Sequence, residues 1–394
     1  MRIGIDASTW PNARGFGRFT RALVEAMLRQ SSGHEFILLA DQAIAAPAGA
    51  QCVHVQTRRL THQAAVADGN RSVPDLLRFS AAAARNRFDV LFYPAVYSWF
   101  PCPPRLPNVL TLHDAIAEHF PEMVFPRARE RRLWNLKVKL ACAQATRFLT
   151  VSEAARQEIV TYLKLDAQRI DLTTEGPHAA FVPLSAHLAA DSVRTELAQS
   201  FGLPASARYF CCVGGFSPHK NVIGVVRAFA LLSRPEHADV HLLLVGDRKS
   251  QGFSSNVDDL QREIDAQPAV AGRIHFTGFV SDDTLARIYA TSLALVMPSF
   301  SEGFGLPAVE AMACAAPVIV STLGSLPEVV GDAGLLVDPS QSADIAAAMA
   351  RLVHEPQLGA ELARRSVARA ALFNWDRAAV MALECLERAS RGRR

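Results

Sequence analysis

Pro298-Ser299-Phe300-Ser301-Glu302-Gly303-Phe304-Gly305-Leu306-Pro307-Ala308-Val309-Glu310-Ala311-Met312-Ala313 decides the reading of this chain. Two glutamates eight apart flank a Gly-Phe-Gly-Leu-Pro turn that opens a helix. Pro307 suits the first helical turn, where its missing N–H removes no bond. Gly303 and Gly305 let backbone amides approach a ligand closely. A helix N-terminus presents unpaired N–H groups and a partial positive charge, which suits phosphate. Two carboxylates around such a site are electrostatically wrong for phosphate alone. They suit hydroxyl-rich groups on either side of it, a sugar and a ribose. The stretch therefore describes a nucleotide-sugar site, with Gly303, Phe304, Gly305 and Leu306 at the phosphates and Glu302 and Glu310 at the hydroxyls.

Working outward, the 394 residues exceed one hydrophobic core and imply two domains. Half of the residues are hydrophobic and one fifth charged, as in an ordinary globular enzyme. No apolar run approaches the ~20 residues that span a bilayer. The start, Met1-Arg2-Ile3-Gly4-Ile5-Asp6, reads as a first strand and not as a secretory signal. The seven cysteines show no Cys-x-x-Cys spacing, which argues against a disulfide framework or a zinc site and fits a reducing cytosol. No Asp-x-Asp occurs, so there is no sign of a metal-bridged donor site, and no metal or resident cofactor is expected. Nothing points to nucleic acid.

Short Val/Leu/Ile-rich runs alternate with amphipathic stretches. Strands are expected at 2–6, 36–40, 89–93, 108–112, 147–151, 209–213, 240–245, 273–276, 293–297 and 317–320. Helices are expected at 17–30, 127–145, 153–163, 191–200, 220–232, 282–290, 307–315, 341–353 and 375–389, among others. This alternation predicts α/β architecture, two doubly wound Rossmann-like domains with parallel sheets and ligands at the carboxyl ends of the strands. Pro177, Pro183 and Pro204 punctuate a boundary between about 180 and 207. The expected division is 1–185, 205–370 and a terminal helical segment over 371–394, whose end, Arg391–Arg394, is expected to fray.

The glutamate-flanked turn closely resembles the donor-site motif of family 4 glycosyltransferases, retaining enzymes of the GT-B architecture. The resemblance implies that the two domains face a cleft and that the last helix crosses back to the first domain. It is strongest over 209–340 and weaker but ordered over 1–155. Val213-Gly214-Gly215-Phe216-Ser217-Pro218-His219-Lys220-Asn221 matches a second family segment. There the lysine binds the donor diphosphate, so Lys220 is assigned that role, with Gly214 and Gly215 alongside. Its task is to offset charge building on the leaving group. Members of the family commonly carry arginine where Gly215 stands; this chain departs from them, and only a protonated His219 would substitute. Gly278-Phe279-Val280-Ser281 matches the nucleobase seat, with Ser281 also a helix cap.

In the first domain, Arg14-Gly15-Phe16-Gly17-Arg18 follows the first strand. It lacks the third glycine of a dinucleotide fingerprint, which disfavours a nicotinamide cofactor. The resemblance places Gly15 and Gly17 near the diphosphate and the acceptor. His113, in Leu112-His113-Asp114 at a strand end, corresponds to a family histidine beside the reacting sugar; a satisfied structural histidine is the plain alternative. Ser152 and Glu153 read as a helix start. Residues 1–185 carry 22 Lys and Arg against 16 Asp and Glu, the remainder 19 against 22. A basic first domain suits an anionic acceptor or an anionic membrane face, or is simply a solvated surface. Arg127, Arg129, Arg131, Arg132, Lys137 and Lys139 crowd one helix around Trp134, yet Leu133, Leu136 and Leu140 share a sector with Arg129, so its faces do not separate in the sequence.

The expected activity is transfer of a hexosyl group from a nucleoside-diphosphate sugar to an acceptor hydroxyl, in polysaccharide, O-antigen or glycolipid assembly. Retention of configuration without metal follows from the resemblance. The partners are a nucleotide-sugar donor, a saccharide or lipid-linked saccharide acceptor and weak peripheral membrane contact; the setting is cytoplasmic, at the inner face of the membrane. Lys220, Glu302 and His113 are the catalytic candidates. Competing readings are a sugar synthase with a soluble acceptor, a non-catalytic nucleotide-sugar-binding protein and a nicotinamide-dependent oxidoreductase.

Overall fold

The computed structural model describes residues 1–12, 15–30, 33–58, 71–185, 190–248 and 256–392. Arg14 and residues 393–394 of the tail expected to fray lie outside them. The chain divides into two units, Met1–Glu175 with Asn374–Arg394, and Gly176–Phe373.

Seven strands of the first unit pair in parallel: β1 (Arg2–Asp6), β2 (Glu35–Ala40), β3 (Ala50–His54), β4 (Val90–Tyr93), β5 (Asn108–Thr111), β6 (Arg147–Thr150) and β7 (Ile170–Leu172). Their order is β3-β2-β1-β4-β5-β6-β7, a doubly wound sheet. Helices α1 (Gly15–Arg29), α2 (Val73–Arg85), α3 (Ala128–Gln144) and α4 (Glu153–Leu163) connect them. Ile3, Ile5, Leu91, Leu110 and Phe148 are fully buried because helices cover both faces of a parallel sheet. Helix α1 turns Phe19, Leu23, Val24 and Met27 inward. Ser152 caps α4 by accepting from the Ala155 N–H.

The second unit begins with α5 (Ala190–Phe201), followed by β8 (Arg208–Val213), α6 (Val222–Ala230), β9 (Val240–Val245), α7 (Val257–Asp265) and β10 (Ile274–Gly278). Next come α8 (Asp282–Thr291), β11 (Ala294–Met297), α9 (Leu306–Ala313), β12 (Val318–Ser321), α10 (Leu326–Val330), β13 (Leu335–Val337), α11 (Ser342–His354) and α12 (Pro356–Ala370). The sheet order is β10-β9-β8-β11-β12-β13, again parallel. Its core joins Phe210, Val225, Phe229, Leu244, Val296 and Met349.

The division falls at 175/176, before the boundary expected between 180 and 207. Helix α5 belongs wholly to the second unit: Val193, Leu197 and Ala198 are buried and Glu196 pairs with Arg287 of α8. The C-terminal helix α13 (Trp375–Arg391) belongs to the first unit. Arg29 reaches Asp376 at 2.7 Å, the Thr173 hydroxyl donates to the Ala378 carbonyl at 3.1 Å, and Arg388 reaches Asp171 at 3.1 Å. Strands β3 and β7 were not foreseen; both are sheet edges, β3 largely exposed and β7 three residues long with an aspartate at its centre, so neither shows a continuous apolar run.

Candidate active site

In the second unit, β8 and β11 are neighbours from which the chain winds outward in opposite directions. Such a switch point leaves a crevice at the carboxyl ends of the two strands. The two motifs that dominate the sequence are the segments leaving those two ends.

After β8, Gly214 takes φ +134°, and a Cβ there would meet Lys220 Cδ at 3.4 Å. The lysine stem lies over this bare backbone. Residues Pro218–Lys220 form a single 3-10 turn, and α6 starts only at Val222. The helix expected from 220 therefore begins later, because Asn221 interrupts it in the left-handed region at φ 54°. Ser217 makes no capping hydrogen bond. Asn221 instead ties three segments together: its Nδ2 donates to the Pro298 carbonyl at 3.2 Å and the Pro339 carbonyl at 2.7 Å. Lys220 is thus fixed ahead of the helix, not on its first turn.

After β11, Glu302 meets that lysine. Lys220 Nζ donates to Glu302 Oε1 at 2.7 Å, and the buried Ser299 hydroxyl donates to the same oxygen at 2.8 Å. The Ser325 hydroxyl holds the Glu302 carbonyl at 2.9 Å. Gly324, at φ +63°, lets that neighbouring loop sit against the Glu302 backbone, where a Cβ would approach its N at 3.1 Å. Burial alone pushes the Glu302 carboxyl up, but the Lys220 charge and the hydrogen bonds from Lys220 and Ser299 outweigh it and hold the group below its ordinary range. Burial and the same lysine push the His219 imidazole down to about 4. His219 is therefore neutral near pH 7 with Lys220 beside it.

Gly305 precedes α9 at φ +92°, with Leu326 so close that a Cβ would lie 2.6 Å from its Cδ2. The backbone N–H groups of Phe304, Gly305 and Leu306 have no hydrogen-bond partner among the described residues. They form a row of donors at a helix start. The Phe304 ring is buried and stands edge-on to Phe373 at 5.4 Å, so only its backbone is available to a ligand. Glu310 is buried on the first turns of α9. Gly215 has open space where a side chain would project, its nearest neighbour being Ser217 Oγ at 3.9 Å. Phe279 is exposed and Val280 half-buried ahead of α8, which Ser281 caps through the Thr284 N–H at 3.2 Å.

In the first unit, Gly17 sits where a Cβ would lie 2.0 Å from the Asn12 carbonyl oxygen; its glycine is explained by loop packing. Gly15, at φ +46°, has nothing within 4 Å of such a Cβ. His113 follows β5 with its ring against Phe16 and Phe19, at 5.0 and 4.5 Å between centroids. Its Nε2 donates to the Pro94 carbonyl at 2.9 Å, and Nδ1 lies 3.6 Å from Glu175 Oε1. The imidazole is anchored through Nε2, which leaves Nδ1 for any further contact. Asp114 accepts the Ile116 N–H at 3.1 Å, a local cap. No cluster of three or more metal-ligating side chains occurs among the described residues.

Residues 193–371 match the family model for glycosyl transferases group 1, and residues 13–176 match that for Glycosyltransferase Family 4. The chain is 32% identical over 301 residues to O-antigen chain mannosyltransferase B of Escherichia coli, covering 76% of this chain and 74% of that protein. This chain belongs to glycosyltransferase family 4. Another relative of this glycosyltransferase is D-inositol 3-phosphate glycosyltransferase of Mycolicibacterium vanbaalenii, 30% identical over 281 residues, which cover 69% of this chain and 59% of the relative. Its fold is that of sucrose-phosphate synthase from Thermosynechococcus elongatus (TM-score 0.78, 21% identity, 99% of both chains). It is also that of Anabaena Alr3699/HepE, solved in complex with UDP and glucose (TM-score 0.72, 20% identity, 98% and 99% of the two chains). These neighbours establish two parallel-sheet α/β domains of the GT-B type.

Three positions of the crevice were not singled out in the sequence. Ser299 precedes Glu302 by three residues, a spacing that would have signalled a hydrogen bond to its carboxylate. Asn221, directly after the lysine, is a residue type suited to φ > 0. Ser325 is far from Glu302 along the chain and left no local signal.

Proposed function

We propose that this glycosyltransferase moves a hexosyl group from a nucleoside-diphosphate sugar to an acceptor hydroxyl, with retention of configuration and without metal or resident cofactor. The acceptor is a saccharide or lipid-linked saccharide in polysaccharide, O-antigen or glycolipid assembly, and the setting is the cytoplasm at the inner face of the membrane. One observation carries the reading: an ion pair, Lys220 with Glu302, stands at a switch point together with three unpartnered amides at a helix start. The amides and Lys220 suit a diphosphate, whose charge grows as the glycosidic bond breaks. Glu302 has one oxygen engaged by Lys220 and Ser299, leaving the other to accept from sugar hydroxyls. Glu310 accepts from the ribose, and Phe279 and Val280 seat the base. Gly214 and Gly215 let the diphosphate approach the backbone, and Gly15, Gly17 and His113 serve from the first unit. Similarity to an O-antigen mannosyltransferase supports the acceptor class.

The test is release of nucleoside diphosphate from a panel of nucleotide-sugars with a saccharide acceptor, read together with the anomeric configuration of the product by NMR. Lys220→Ala and Glu302→Ala should each lower turnover by about two to three orders of magnitude. Near-wild-type rates for either variant would refute these roles, and an inverted product would refute retention.

A further inference from the structure

Helix α3 carries five basic residues of the first unit, with Arg127 directly ahead of it, and the structure sorts the six. Lys137 turns inward, its Nζ donating to the Tyr97 carbonyl at 2.5 Å. Trp134 is also turned in, its Nε1–H donating to Glu118 at 2.8 Å and its ring 4.9 Å from Tyr97, so it is no surface anchor. Arg127 faces Glu130 at 3.8 Å and Arg131 faces Glu122 at 3.5 Å. Arg129, Arg132 and Lys139 remain exposed and have no acidic partner among the described residues. On the same side Leu133, Leu136 and Leu140 are 44%, 55% and 48% exposed, while the opposite face buries Val138, Ala141 and Cys142. Spacings of three and four residues put the leucines in one row. Arg129 sits one turn before Leu133 in that row, and Arg132 and Lys139 lie along one flank.

An apolar row bordered by unneutralised cations fits one environment: the boundary between headgroups and acyl chains of an anionic bilayer. Leucines gain there from leaving water, and each cation gains from the negative surface potential. Resting on the reading of a lipid-linked acceptor, we propose that α3 docks the first unit on anionic membrane lipid, with Leu133, Leu136 and Leu140 inserted and Arg129, Arg132 and Lys139 at the headgroups.

The test is co-sedimentation of the full chain, without donor, with vesicles of phosphatidylcholine alone or with about one-third phosphatidylglycerol. The protein should partition onto the anionic vesicles and be displaced by salt. A basic residue near such a surface contributes about a factor of five, so Arg129→Gln/Arg132→Gln/Lys139→Gln should weaken partitioning roughly 100-fold. Leu133→Ser/Leu136→Ser/Leu140→Ser should weaken it as well, and all six positions are exposed, so both variants should keep the wild-type melting temperature. Equal binding to the two vesicle types, or wild-type partitioning by the charge variant, overturns the proposal. So does a dimer in sedimentation equilibrium that the leucine variant abolishes, since the row would then cover a second copy. A failure of the donor site is read separately, as no thermal shift with any nucleoside diphosphate.

Discussion

Replacing Lys220 by alanine separates the two charges on which the site is built. Nζ lies 2.7 Å from Glu302 Oε1, with 21% and 12% of the two side chains exposed. Removing one partner of a buried pair costs about 3–5 kcal/mol, because the other charge is left without compensation. Glu302 keeps the Ser299 hydroxyl and can take up a proton, which points to the lower end, about 3 kcal/mol at neutral pH. For a unit of 150–250 residues each kcal/mol moves Tm by about 2–4 °C, so the second unit should melt roughly 6–12 °C lower.

The pH dependence carries a definite sign. In the wild type the Glu302 carboxyl is held below its ordinary value, so its stabilisation is present above the unfolded pKa of about 4.3 and is lost as pH falls through the folded value. In the variant, burial acts without the lysine and the carboxyl rises. Protonation then relieves the buried charge as pH falls, and the difference from wild type should narrow from pH 8 to pH 5. Calorimetry across that range reads the stability, and nucleoside diphosphate release reads turnover. Glu302→Gln added to Lys220→Ala should recover much of Tm and none of the activity. A Tm within a degree of wild type at pH 8, or a deficit constant with pH, would refute the reasoning.

Three other outcomes are expected. Gly215→Arg should tighten nucleoside diphosphate binding about tenfold by calorimetry and leave the uncharged nucleoside unaffected, because the position is open and a charged hydrogen bond is gained. Asn221→Ala should destabilise the second unit by about 2–3 kcal/mol, through the two carbonyls it leaves and a left-handed alanine; Asn221→Gly should recover only the backbone part, as read by urea unfolding. Burial holds the His219 and His241 imidazoles down to about 4, so their contribution is complete above pH 6.5 and is lost as pH falls toward 4. His219→Gln should therefore flatten the loss of stability between those values and leave donor affinity constant from pH 6 to 8.

The sheets were legible because fully buried parallel strands are continuous apolar runs, as Leu242-Leu243-Leu244-Val245 and Val318-Ile319-Val320 are. The edge β3 was not, since half its residues face water. The glutamate motif was legible because its chemistry is local: a turn, a proline and two carboxylates within one stretch. Its link to Lys220 across 82 residues became visible only once β8 and β11 lay side by side. The start of α6 was misplaced because Asn221, read as an ordinary helical residue, takes a left-handed conformation to bridge two carbonyls. The faces of α3 blurred in the sequence because Lys137 and Trp134 count as surface groups there and turn inward in the fold.

Titration calorimetry of the full chain with a panel of nucleotide-sugars, on wild type and Lys220→Ala, bears most directly on the second unit as the donor site. At least one compound should bind saturably to the wild type and at least tenfold more weakly to the variant, the loss expected for one charge-assisted contact. Failure of every compound to bind, or equal affinity for the two proteins, would contradict it.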